Sequence, residues 1–169
     1  MRRHQSRKML QLQGNRKNQK DKKMVGKYQP NRQLINKVTE VYNWLNSQIE
    51  DHKDLAGRCR ACGKCCDFES FDHKLFVTSP ELIYLRTNLH SESLKPMKTG
   101  RCPYNIKGKC SVYEQRFSGC RIFSCKGDTD FQSGLSERAL KKFKAICEQF
   151  QIPYCYTDLA TALNGFSVA

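Results

Sequence analysis

Cys59-Arg60-Ala61-Cys62-Gly63-Lys64-Cys65-Cys66 is the stretch on which the reading of this chain turns. Two residues between successive cysteines let their sulfurs turn toward one point while the intervening backbone N–H groups aim at those sulfurs, and Gly63 permits the tight reversal this needs. Three thiolates at successive x2 spacing can occupy three corners of a [4Fe–4S] cube, which leaves a fourth ligand to come from farther along the chain. Cys102, Cys110, Cys120 and Cys125 supply candidates, with Cys102-Pro103 offering the Cys-Pro pair that ends the bacterial ferredoxin run. Adjacent Cys65 and Cys66 diverge at their side chains, so one of them is expected to serve a second centre or a bridge. Eight cysteines between positions 59 and 125 divide as two sets of four, an arithmetic that permits two clusters, one cluster with a zinc, or one cluster with spare thiols.

Zinc is the rival metal. A zinc ribbon normally shows two C-x2-C knuckles, whereas the second group here is spaced x7, x9 and x4. The spacing therefore leans toward iron–sulfur. Whether the thiols pair as disulfides instead depends on the compartment. Residues 1–30 carry ten basic side chains against Asp21 but no apolar h-region, so they do not read as a secretory signal, and no run of about 18 apolar residues follows. The expectation is a cytoplasmic protein without a membrane span, its cysteines kept as thiolates. Arg58, Arg60, Lys64, Arg101, Lys109, Arg121 and Lys126 each lie within two residues of a cluster cysteine, where they offset the negative charge of thiolate-ligated metal.

Of the net charge of +14, +9 sits in residues 1–30, which read as a disordered basic tail. Such an arm either binds nucleic acid or another polyanion, with steep salt dependence, or is a solvated extension ahead of the first patterned segment. The remaining residues, 31–169, are enough for one domain whose modest core is supplemented by metal. The expected class is mainly α, with irregular metal-stapled loops at 55–127. From Asn31, read as an N-cap, Leu34, Ile35, Val38, Val41, Tyr42, Leu45 and Ile49 recur at helical spacing, with Trp44 flanking the stripe. Phe71 to Thr78 reads as a short extended segment, and Ser79-Pro80-Glu81 as a cap, first-turn proline and early acid opening a helix to about Asn88. A later helix is expected from Ser136, with Leu135, Ala139, Leu140, Phe143, Ile146, Cys147 and Phe150 on one face, and a short one from Asp158 to Asn164. Cys147 is a core thiol on this reading. His4, His52, His73 and His90 show no paired ligand spacing, and no phosphate loop, nucleophile elbow or Cys/His catalytic signature is present.

The eight-cysteine set, together with Gly100-Arg-Cys102-Pro103-Tyr104 and Gly108-Lys-Cys110-Ser-Val112-Tyr113-Glu-Gln-Arg116-Phe117-Ser-Gly-Cys120-Arg121-Ile-Phe123-Ser-Cys125, resembles the CxxCxxCC cysteine-cluster family. That family is named for zinc or iron chelation and includes flagellin lysine-N-methylase-like proteins. The resemblance implies Cys59, Cys62, Cys65, Cys66, Cys102, Cys110, Cys120 and Cys125 as metal ligands, with Tyr113 and Arg116 packing or orienting around them. The family pattern has proline after the arginine, where this chain has Phe117. The methylases are larger, with regions not found here, so methyl transfer is not inherited with the cluster. The leading expectation is a metal-binding protein, with an iron–sulfur cluster, acting with a protein redox partner in electron transfer, redox sensing or cluster-dependent modification. The alternatives are a structural zinc module with a nucleic-acid-binding tail, and a protein lysine methylase-like enzyme.

Overall fold

The computed structural model describes residues 32–89 and 95–165. The basic tail at 1–30, the cap expected at Asn31, His4 and His90 lie outside the described residues.

Helix α1, Arg32–Asp51, follows the apolar stripe, with Leu34, Val38, Val41, Tyr42 and Leu45 buried. After the single turn α2, Lys53–Ala56, the chain enters the first cysteine run, whose one regular element is a 3-10 turn at Lys64–Cys66. Strand β1, Phe76–Thr78, leads directly into α3, Ser79–Asn88. The two-residue strands β2, Asn105–Ile106, and β3, Lys109–Cys110, form a small hairpin, followed by a 3-10 turn at Tyr113–Gln115 and the short α4, Ser118–Ile122. Helix α5 spans Thr129–Gln149, and strand β4, Tyr156–Asp158, precedes α6, Leu159–Gly165. β4 pairs antiparallel with β1, Val77 opposite Thr157.

Two apolar cores share α3. One is built from α1 and α5, with Leu34, Leu45, Leu135 and Phe143 inaccessible and Ile83 of α3 joining them. The other gathers Val77, Tyr104, Val112, Phe117, Leu159 and Leu163 around Leu82 and Leu85 of α3. A helix apolar on both sides is stable only between two layers. The second core is the one that matters for the cysteines, because Cys102, Cys110 and Cys120 pack against it half-buried.

Two local expectations are adjusted. The cap of α3 is Thr78, one residue earlier than Ser79: the Thr78 N–H and Oγ1 both donate to Glu81 Oε2, at 3.0 and 2.8 Å. Ser79 instead ties in the C-terminal strand, its Oγ donating to the Pro153 carbonyl at 2.8 Å and accepting from Cys155 N–H at 2.7 Å. Helix α5 begins seven residues before Ser136, because Asp128 caps it by accepting from Phe131 N–H at 2.7 Å. Ser136 is then interior and its Oγ donates back to the Gln132 carbonyl at 2.8 Å. Among the described residues no helix is long and apolar enough to cross a membrane.

Candidate metal centre

Backbone contacts between distant segments bring the two cysteine groups together. Cys102 N–H donates to the Cys66 carbonyl at 2.8 Å and Phe68 N–H to the Gly100 carbonyl at 2.8 Å, so residues 66–68 run beside 100–102. The Asp67–Arg101 ion pair, 2.6 Å, closes the same junction from its exposed side. The loop ahead of it docks on the β2–β3 hairpin. Gly63 has φ +71°, and a Cβ there would stand 2.5 Å from the Gly108 carbonyl oxygen. Asn105 Nδ2 donates to the Gly63 carbonyl at 3.0 Å, while its Oδ1 accepts from Gly108 N–H at 3.0 Å. The start of the first run is held against the end of the second: Asp128 N–H donates to the Leu55 carbonyl at 2.7 Å, and a Cβ on Gly57 would stand 2.7 Å from the Gly127 nitrogen. That junction lies two residues from both Cys59 and Cys125.

Burial divides the eight cysteines. Cys66, Cys102, Cys110 and Cys120 are half-buried, whereas Cys59, Cys62, Cys65 and Cys125 are exposed, so the adjacent pair Cys65 and Cys66 falls into different sets. The half-buried four act on one another electrostatically. Burial pushes the Cys102 thiol up to about 11, with the charges of Cys66 and Cys110 adding to it. Burial likewise raises Cys120 well above the thiol range, and Cys102, Cys66 and Cys110 reinforce it. Cys110 is raised for the same first reason. Cys66 is the exception, lowered to about 6 because the Cys65 thiol donates a hydrogen bond to it, with Asn105, Arg101 and His73 helping. Cys65 is correspondingly raised, as the donor of that bond, with burial and the nearby Cys120 and Cys59 adding to it, so the two adjacent thiols meet where the sequence predicts divergence. In the exposed set, Ala61 N–H donates to Cys59 Sγ at 3.4 Å, the backbone-to-sulfur bond expected of a C-x2-C turn.

The ten cysteines form no disulfide. Cys147, 2% exposed, is a core thiol between α5 and its neighbours, as its helical position indicates. His73 turns its Nε2 to the Cys65 carbonyl, at 3.0 Å, and its ring stands edge-on to Phe68. Arg116 lays its guanidinium over Tyr113, 3.8 Å from the ring centre. Phe117, in the place of the family proline, has φ −64°, the angle a proline ring would impose, and its side chain is buried in the second core. The turn is thus made by packing.

The CxxCxxCC family, described as "Putative zinc- or iron-chelating domain", matches residues 58–148. The chain belongs to this family. No curated protein and no solved structure matches it. Metal binding is therefore the property that the family assigns to this cysteine cluster, zinc and iron being the metals it names.

Among the described residues no group of three His, Cys, Asp or Glu side chains is placed to hold a metal ion. The donor chemistry nevertheless suits a thiophilic metal, with two sets of four thiols, cationic neighbours, and a backbone that joins the segments bearing them. Burial favours the neutral thiol at Cys102, Cys110 and Cys120. A bound cation favours their thiolates, so the raised values at Cys102, Cys110 and Cys120 describe the metal-free chain.

Gly63 carries a direct consequence. Gly63→Ala forces a side chain into a left-handed conformation, about 1–2 kcal/mol, and into the Gly108 carbonyl. The variant should bind metal about 10–100-fold more weakly, the usual cost of disturbing the shell behind the ligands. Competition with a chromophoric chelator measures this, and an unchanged affinity would show that the loop need not dock on the hairpin.

Proposed function

We propose that this chain is an iron–sulfur protein of the zinc- or iron-chelating family, with two metal centres and a role in electron transfer or redox sensing. Cys59, Cys62 and Cys65, spaced for three corners of a [4Fe–4S] cube, take Cys125 as fourth ligand. Cys66, Cys102, Cys110 and Cys120 hold the second centre. The exposure of Cys59, Cys62, Cys65 and Cys125 against the half-burial of the other four supports this division, the Cys65–Cys66 thiol contact would set the two centres side by side, and the junction of Gly57 with residues 126–127 supports the pairing of Cys125 with the first run. When bound, the first centre supplies one-electron chemistry, and the protein's part is to tune it through Arg58, Arg60 and Lys64 beside the thiolates. Its exposure suits exchange with a partner at the surface, and the half-buried centre suits a structural task.

Anaerobically purified protein should be brown, absorb near ~400 nm, bleach with dithionite and carry sulfide with its iron, as thiolate-ligated clusters do. A colourless protein with stoichiometric zinc and no sulfide would overturn the iron–sulfur reading and leave a structural zinc protein. One centre per chain would overturn the division into two. Because ligands must lose their protons, loading should also release protons near neutral pH, and affinity should fall as pH is lowered.

A further inference from the structure

A cleft of about 550 Å³ is lined by residues of α1, α2 and α4 together with Arg58, Cys59, Tyr113 and Arg116. Its three arginines have no carboxylate counterpart among the described residues. Among the described residues neither Arg58, Arg116 nor Arg121 forms an ion pair, and Glu50, also lining the cleft, is engaged by Lys53. The two inner arginines differ in what they have left to give. Arg121 is committed to the protein, its Nε donating to the Arg116 carbonyl at 2.9 Å, Nη1 to Asn46 Oδ1 at 3.4 Å and Nη2 to the Glu114 carbonyl. Its guanidinium also lies over Tyr42, 4.1 Å from the ring centre. Arg116 lies over Tyr113 with its Nε closed off and unpartnered, and among the described residues no hydrogen bond or ion pair takes up its terminal nitrogens. A planar guanidinium fixed by an aromatic ring is pre-organised to grip two oxygens at once through those nitrogens.

From this we infer that the cleft binds a small oxyanion, phosphate or carboxylate, with Arg116 as its bidentate anchor and Arg58 as a second cation, beside the cysteines. Arg121 shapes the site and adds positive charge, and Tyr113, 44% exposed, forms a wall. The competing account gives the arginines no ligand and makes the metal-bound thiolates their sole counter-charge, since Cys59 and Cys120 line the same cleft. The inference does not depend on which metal the cysteines hold.

The test is a titration of metal-loaded, 15N-labelled full-length protein with inorganic phosphate and, separately, succinate, at constant ionic strength set by chloride, following the Arg116 Nε–H resonance. A saturable shift is expected, and the tighter of the two probes names the class of oxyanion. Calorimetry on variants should show at least tenfold weaker binding for Arg116→Gln and a smaller loss for Arg58→Gln, an exposed position whose substitution leaves the fold alone. Arg138→Gln, on α5 over Trp44 and outside the cleft lining, should bind as the parent does. No saturable shift with either probe, a resonance that responds to metal loading alone, or equal losses in Arg116→Gln and Arg138→Gln would overturn the inference. Metal content is measured on the same samples. A chain that takes the oxyanion without metal therefore sinks the proposed function and not this site, and the reverse holds for a chain that loads metal and ignores both probes.

Discussion

Cys120→Ser should cost the protein one of its metal centres and lower the thermal midpoint of the loaded chain toward that of the metal-free chain. Cys120 sits in α4, its thiol drawn into the electrostatic neighbourhood of Cys66, Cys102 and Cys110. Serine has nearly the same shape, but its hydroxyl does not ionise near neutral pH and is a poor partner for a thiophilic ion. The loss in affinity should therefore exceed the about 10–100-fold typical of residues behind the ligands. Stability should follow, because metal binding free energy in a small loop-rich segment is also folding free energy, about 10–16 kcal/mol for zinc in finger peptides. Two controls separate ligand loss from misfolding. Cys147→Ser places a hydroxyl in the α1–α5 core, costing about 1–3 kcal/mol, but should keep both centres. Cys59→Ser, at an exposed position, should remove the other centre and leave the helical core intact. Metal analysis with circular dichroism checks all three, and a Cys120→Ser protein with full metal and parental stability would remove the half-buried set from the ligand list.

Helix α1 was legible because its apolar stripe is long, so periodicity alone decides its course. The start of α5 was not, since Thr129 to Gly134 contributes no fully buried apolar side chain and Gly134 weakens a helical reading. What extends the helix there is Asp128, fixed by its own backbone bond to Leu55 near the first cysteine run. β4 is three residues whose only reason to be extended is β1, a partner about eighty positions away. The cysteine group announced itself by spacing, but the expected divergence of Cys65 and Cys66 does not hold, because the Cys65 thiol donates to Cys66. How the other six sort into exposed and half-buried sets depends on residues 66–68 meeting 100–102, a pairing that no local pattern encodes. The cleft was missed for the same reason: Arg58, Arg116 and Arg121 read singly as neighbours of cysteines, and the unpartnered Nε of Arg116 is a property of packing. Glu81 is the clearest case of a residue legible in kind but not in weight.

Glu81→Ala should destabilise the protein by about 3–5 kcal/mol, a large share of the 5–15 kcal/mol that holds a typical domain together. As sequence, Glu81 is an acid in the first turn of a helix, worth a few tenths of a kcal/mol to about 1 kcal/mol. In the fold it is 1% exposed and joins four elements. Its Oε2 accepts from the Thr78 N–H and Oγ1, and its Oε1 accepts from Ser118 N–H at 2.7 Å and, at 3.5 Å, from the Tyr42 hydroxyl. Ser118 is the first residue of α4, so one carboxylate closes the start of α3 and of the helix bearing Cys120 while reaching α1. Truncation leaves three well-made donors without acceptors in a region closed to water, each costing about 1–3 kcal/mol before relaxation. Glu81→Gln keeps the volume but turns one acceptor group into a donor facing donors, and should cost about half as much. Urea denaturation of the metal-loaded chain reads both values. The second readout is metal affinity, which should fall in Glu81→Ala beyond what lost stability explains, because α4 is no longer anchored where it presents Cys120. Equal urea midpoints for Glu81→Ala and the parent would show that water reaches this carboxylate and that α4 is positioned by its apolar contacts alone.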